Sequence, residues 1–182
     1  SEADLNPDAF IYAYSGYKML AGKKQLKIDS LLTIIDYSKP SDKERFFVID
    51  LKNKRLVYES LVAHGQNTGE IIAQHFSNDI QSHKSSLGLF VTSDTYIGRH
   101  GYSLHLDGLE RGLNDNARKR AIVIHGADYV SESFIAQNGR IGRSFGCPAL
   151  PTDKSESVIN LIKGGSCLYI YHPQVATISK LN

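Results

Sequence analysis

From residue 31 onward the apolar residues of this chain fall mostly into short runs, rich in β-branched and aromatic side chains. "LLTIIDYS", "RFFVIDL", "RLVYESLVAH", "LGLFVTSD", "YSLHLDGL", "AIVIHG" and "CLYIYHP" follow one another, separated by turn residues. Residues of this kind suit a pleated, half-buried surface, and the Gly, Pro, Asn, Asp and Ser between them mark where the chain reverses. "DLKNKRLV" has the length and composition of a hairpin between two of the runs. The pattern predicts a mainly-β domain.

Two segments depart from it. "NPDAFIYAYSGYKMLAGKK" reads as an amphipathic helix, with Asn6 as N-cap, Pro7 at the first helical position and Gly22 as the stop. Phe10, Ile11, Tyr14, Met19 and Leu20 form its expected apolar stripe. "PTDKSESVINLIKGG" reads as a second helix, capped by Thr152 or Asp153 and ended by Gly164, with Val158, Ile159, Leu161 and Ile162 facing inward. "GLNDNARKRA" is at most a short helix. The expected class is therefore α+β, mainly β with flanking helices. Residues 1–24 form an N-terminal helical segment packed on one globular unit spanning 25–182. A chain of 182 residues buries roughly 70 % of its unfolded surface. Such a core needs no disulfide staple.

Charge and hydropathy narrow the partners. The net charge is +2, and residues 99–143 mix seven Lys/Arg with five acids, so no nucleic-acid footprint is present. No apolar stretch approaches the roughly 18–20 residues of a membrane span. The chain opens Ser1-Glu2-Ala3-Asp4 without methionine, the trace that a removed signal peptide leaves.

The chemistry concentrates in residues 122–151, "IVIHGADYVSESFIAQNGRIGRSFGCPALP". Cys167, within "CLYIY", suits an inert core thiol. Cys147 differs, because Ser, Gly and Pro surround it and Arg140 and Arg143 lie just upstream. A loop of that kind can supply the cations or N–H groups that activate a thiol. His125 closes an apolar strand and is followed by Gly126, so the backbone can turn sharply and aim the ring across a cleft. A Cys–His pair needs the imidazole within hydrogen-bond reach of sulfur and a third group to orient it, a task open to the Gly126 carbonyl. Two other readings compete. Cys147 and Cys167 can form one disulfide, or His125, Cys147, His100 and His105 can surround zinc, although no Cys-x-x-Cys, His-x-x-x-His or His-Glu-x-x-His spacing occurs in the chain.

A histidine-glycine closing a strand, a loop, and then Ser-x-Gly-Cys resembles the catalytic motif of the L,D-transpeptidases, the YkuD-type cysteine enzymes of bacterial peptidoglycan. "SSLGLFVTSDTYIGRHGYSLHLDGL" is similar to the hairpin that precedes the His-Gly strand in that family. "DYSKPSDKERFFVIDL", "LVAHGQNTGE", "FSN", "GLNDNARKRAIVIHGADYV", "GRSFGCPALP" and the front helix resemble the murein L,D-transpeptidase catalytic-domain subgroup. The resemblance spans nearly the whole chain and implies an L,D-transpeptidase-like β-sandwich. It makes Cys147 the nucleophile, His125 the base and Gly126 its orienter, with the N–H groups of Gly146 and Cys147 as oxyanion donors. It also implies a cross-linking acyl transfer on peptidoglycan stem peptides through a Cys147 thioester, with no cofactor. Acylation by carbapenem β-lactams and a periplasmic or cell-envelope setting follow from the same likeness. An L,D-carboxypeptidase using the same site, and a silent peptidoglycan-binding domain, are its alternatives.

Two departures from the family motif stand out. Phe145 occupies the place of a second histidine, and Ala149 that of an arginine two residues after the cysteine. Ser144 keeps the motif's hydroxyl and is expected to shape the loop. Arg120, Arg140 and Arg143 are candidates for gripping substrate carboxylates through paired hydrogen bonds, and Tyr102 and Phe145 for lining the groove.

Overall fold

The computed structural model describes residues 4–178. Helix α1 (Pro7–Gly22) leads into strand β1 (Ile28–Asp36), the hairpin of β2 (Phe46–Asp50) and β3 (Arg55–Ser60), and then the irregular stretch 61–87. The long hairpin of β4 (Gly88–Gly98) and β5 (Gly101–Gly108) comes next, followed by β6 (Val123–Gly126) and α2 (Glu132–Asn138). Strand β7 (Ala149–Leu150), α3 (Thr152–Ile162), β8 (Ser166–Tyr171) and α4 (Val175–Ile178) complete the order.

All eight strands belong to one sheet, in the order β3-β2-β1-β8-β4-β5-β6-β7. The chain just beyond β3 meets the opposite edge, where Ala63 pairs with Ala149 of β7 and its N–H donates to the Ala149 carbonyl at 2.8 Å. The sheet is thereby rolled on itself like a barrel. The two layers of the expected sandwich are the two sides of this roll. A second isolated bridge, Gly65 to Ser144, follows the first and ties the two ends of the sheet together just beyond β3.

The interior is filled by alternate residues of the strands, including Leu32, Ile34, Phe46, Phe90, Leu104 and Leu168, all with essentially no exposure. Helix α1 covers β1 and β8. Asn6 caps it, its Oδ1 accepting from the Asp8 N–H at 2.9 Å. Its buried face is not the stripe expected from large residues. Ala9, Ala13 and Leu20 are buried, whereas Ile11 and Met19 are 61 % and 46 % exposed. A methyl group at Gly16 would stand 2.8 Å from Leu89, so the helix lies too close to the sheet for anything but small residues there.

Helix α3 buries Val158, Ile159 and Ile162 but leaves Leu161 partly exposed. Pro151 is its N-cap, because the Thr152 hydroxyl donates instead to Asp128 at 2.7 Å. "GLNDNARKRA" folds as successive turns. The Asn114 side chain accepts the nearby Glu110 N–H on Oδ1 and donates through Nδ2 to the Leu87 and Leu89 carbonyls at 2.9 and 3.1 Å, which ties these turns to the start of β4. Helix α2 carries no periodic signal because none of its residues is buried. It is defined by its ends, the Ser131 hydroxyl cap and left-handed Gly139.

Candidate active site

His125 and Cys147 arrive on neighbouring elements. His125 lies on β6, paired with Ser103 of β5 on one side and Ala149 of β7 on the other. Since Cys147 precedes β7 by only one residue, Pro148, the parallel β6–β7 pairing brings the thiol beside β6. The Val123 N–H donates to Cys147 Sγ at 3.4 Å, and the thiol donates to the Ala121 carbonyl at 3.4 Å. Both cysteines are free, Cys167 being buried on β8 and Cys147 partly accessible.

The imidazole is held from two directions. Nδ1–H donates to the Gly126 carbonyl at 2.9 Å, which fixes the tautomer and leaves Nε2 as the basic nitrogen. One ring face stacks on His100. Only 2 % of His125 is exposed, and burial lowers its pKa, aided by His100 and opposed by the Gly126 carbonyl. Burial raises the pKa of Cys147, against the smaller opposing effects of the Val123 N–H and the Arg120 cation. The two shifts act together to favour a resting thiol beside a neutral imidazole over a thiolate–imidazolium pair. No hydrogen bond joins Sγ to the imidazole among the described residues.

The loop around the cysteine is built by Ser144 and Gly146. The Ser144 hydroxyl donates to the Cys147 carbonyl at 2.6 Å and accepts from the Gly146 N–H at 3.0 Å. Gly146 has φ +119°, and a Cβ there would stand 2.7 Å from the Lys84 carbonyl. Only glycine fits. Because Ser144 occupies the Gly146 N–H, that group is not free for an oxyanion, while the Cys147 N–H has no partner among the described residues.

The remaining residues expected at the site are dispersed. Arg140 and Arg143 both close on Glu70, at 2.9 and 2.8 Å, and Arg143 also donates to the Gln66 and Gly69 carbonyls. Tyr102 bonds Asn160 of α3 at 3.0 Å and accepts from Lys163 at 3.1 Å. His105, opposite Val123 on the β5–β6 ladder, is turned to Asp94 at 3.1 Å. Among the described residues no three His, Cys, Asp or Glu side chains gather as a metal site. Arg120 is the cation that acts on the cysteine. Its guanidinium donates to the Ser77 and Lys84 carbonyls at 2.8 and 2.6 Å and to the Ser86 and Ser82 hydroxyls. Phe145 is 59 % exposed and stacks on His83 at 4.4 Å. Ile80, His83, Lys119, Arg120, Ala121 and Phe145 line a groove of about 320 Å³ there.

Beneath the loop lies a polar layer whose roles are not visible in the sequence. His64 accepts the Ser144 N–H on its carbonyl at 3.0 Å, and its ring meets Arg45 at 2.8 Å and the Gly69 carbonyl at 3.1 Å. Arg45 is fully buried, donates twice to the Val62 carbonyl and lies on the Tyr37 ring. Ser85 accepts the Gly65 N–H at 3.0 Å and donates to the Gly146 carbonyl at 3.4 Å. These residues sit in "DYSKPSDKERFFVIDL", "LVAHGQNTGE" and "SSLGLF", strings that carry the family resemblance but have no spacing that reveals a task.

A rolled, mainly-β sheet with a Cys loop beside a His-Gly strand is the fold of the L,D-transpeptidases. Residues 1–171 match the L,D-transpeptidase catalytic domain, and the chain belongs to that family. Among solved structures, the cell-shape determining protein Pgp2 of Campylobacter jejuni is 14 % identical with a TM-score of 0.52, over 97 % of this chain and 63 % of its own. An L,D-transpeptidase of Mycobacterium smegmatis is 11 % identical with a TM-score of 0.47, over 79 % and 59 %. The L,D-transpeptidase LdtMt1 in complex with imipenem is 12 % identical with a TM-score of 0.44, over 76 % and 58 %. This chain thus spans about six tenths of the length of these proteins. No curated protein sequence matches it.

Proposed function

We propose that this domain is a cysteine-dependent L,D-transpeptidase acting on peptidoglycan stem peptides, with Cys147 as nucleophile and His125 as base. The observation that carries the reading is that β6 serves both groups. It holds the sulfur through the Val123 N–H and, two residues on, fixes the tautomer of His125 through the Gly126 carbonyl.

The reaction starts from the neutral pair. The thiol turns from the Ala121 carbonyl toward His125, gives its proton to Nε2, and sulfur attacks the carbonyl carbon of the diamino-acid residue in a donor stem. The oxyanion takes the Cys147 N–H, with Arg120 supplying nearby positive charge. His125 returns the proton to the departing D-alanine nitrogen as the C–N bond breaks, and a thioester remains. An amine of a second stem then attacks the thioester, losing a proton to His125. Sulfur leaves and is reprotonated, and a cross-link has formed. Water in place of the amine gives L,D-carboxypeptidase activity with the same residues. Phe145 and His83 border the substrate, and no metal or organic cofactor takes part.

Peptidoglycan lies outside the cytoplasmic membrane, so the setting is the periplasm or cell envelope. Among the described residues no helix is long and apolar enough to cross a membrane. A thioester-forming site is also expected to be acylated by a carbapenem.

Purified muropeptides incubated with the protein are expected to yield cross-linked products of the mass of dimer less D-alanine, and Cys147→Ala to yield none. Full activity in Cys147→Ala would end the proposal. The thiol's bond to Ala121 favours one second reading, a silent domain that binds peptidoglycan without acting on it. Intact-protein mass after carbapenem exposure separates the two. An adduct on Cys147 supports the enzyme, and an unchanged mass together with retained muropeptide binding supports the silent domain.

A further inference from the structure

The β4–β5 hairpin brings a second imidazole to the site. Gly98 pairs with Gly101, leaving Arg99 and His100 as the two residues of the turn. The His100 ring lies on that of His125, with centroids 4.4 Å apart and planes 21° from parallel. His100 is exposed and His125 is buried, so the tip of the hairpin forms part of the cover over the base.

This contact does something the Gly126 bond cannot. A single hydrogen bond through Nδ1 fixes one edge of the ring but lets it rock about that bond, swinging Nε2. A flat partner across the ring face removes the rocking. Phe145 stands where the family motif places a second imidazole, and that phenyl ring is stacked on His83 rather than on His125. Ser103 on β5, Ala149 on β7, and Ser155 and Thr152 of α3 beside Gly126 are neutral neighbours, while Cys147 and, opposite Val123, His105 are the other titratable side chains brought to β6. Among them His100 is the side chain whose charge lowers the His125 pKa, and the His105 ring is bonded to Asp94 at 3.1 Å.

We propose that His100 is a positioning residue for the reaction, holding the His125 ring by face-to-face stacking so that Nε2 stays set to take and return the proton. The inference rests on the reading of Cys147 and His125 as nucleophile and base. Errors in the placement of a reacting group of the order of an ångström lower rates by about a hundredfold.

The test compares His100→Ala and His100→Phe in the full chain by turnover of muropeptides and by NMR titration of His125. His100→Ala is expected to lower kcat roughly ten- to hundredfold with little change in KM. His100→Phe keeps a flat ring and is expected to restore most of it. Both variants remove the His100 electrostatic effect that lowers the His125 pKa, so the His125 midpoint and the acid limb of kcat/KM move to higher pH, further in the alanine variant because the ring face opens to water. An unchanged kcat and midpoint in His100→Ala, or a phenylalanine variant no better than alanine, overturns the proposal. If the wild-type protein neither turns over muropeptides nor takes up a carbapenem, the functional reading fails. The NMR midpoint then still decides whether His100 acts on His125.

Discussion

Cys147 and Cys167 show how position sets the reactivity of one side chain. Cys167 lies in the packed interior of β8, where burial lifts its pKa to about 12. Cys147 is also raised by burial, but it has the Val123 N–H and the Arg120 cation to stabilise an anion once formed. Iodoacetamide is therefore expected to label Cys147 in the folded protein and Cys167 only after denaturation. Because the Cys147 pKa is raised, its labelling rate should still be climbing with pH above the ordinary thiol range. Pseudo-first-order rates across pH, followed by peptide mapping, check both points. A rate that levels off near pH 6 would mean that a thiolate–imidazolium pair already exists at rest, and the neutral-pair mechanism would be wrong. The sequence made these two thiols distinguishable through their neighbours, apolar in one case and small and polar in the other. It gave no indication that the Cys147 thiol would bond to Ala121.

Among the elements, α1 separates two kinds of apolar residue that look alike in a periodicity argument. Its contact with the sheet runs through Ala9, Ala13 and Gly16 to Leu20, at spacings of one helical turn. Large residues such as Ile11 and Met19 point outward. Ala13→Leu is expected to cost about 1–3 kcal/mol by overpacking. Ile11→Ser and Met19→Ser should each stay within about 0.5 kcal/mol of the parent. Urea unfolding of the three variants measures this, and the reverse order would mean that the helix sits on the sheet by another face. The helix itself was legible from Asn6, Pro7 and Gly22, because caps act locally. Its buried face was not, because the distance between helix and sheet is set by the partner surface. The same holds for α2, visible only in its caps, and for β7, whose two residues become a strand only because β6 lies alongside.

Across the whole molecule, the buried layer beneath the site links stability to pH. Burial, reinforced by the Arg45 cation, lowers the His64 pKa from 6.5 to about 3. Above about pH 6.5 His64 is neutral both folded and unfolded, and it adds no pH dependence. Below that the unfolded chain takes up a proton that the folded one refuses, so stability falls as pH falls toward 3. One pKa unit corresponds to about 1.4 kcal/mol, so the loss is roughly 2–3 kcal/mol by about pH 4.5. His64→Gln should flatten that part of the curve, measured as urea midpoints at neutral and acid pH. An equal slope in both proteins would remove His64 as the cause. His125 and His172, also lowered by burial, add smaller contributions of the same sign.

The sequence by itself determined the class of fold, the pair of helices and the loop proposed to carry the nucleophile. Strand runs, helix caps and a Ser-x-Gly-Cys loop all express local preferences that a few neighbouring residues suffice to state. Tertiary structure decided which cations remain near the sulfur. Glu70 draws off Arg140 and Arg143 from a stretch some seventy residues earlier in the chain, while Arg120 stays beside the thiol. It also decided that the sheet rolls until Ala63 meets Ala149, and that His100 comes to lie on His125. Those outcomes depend on ion pairs and stacking between residues brought together only when the sheet closes, and no local pattern encodes them.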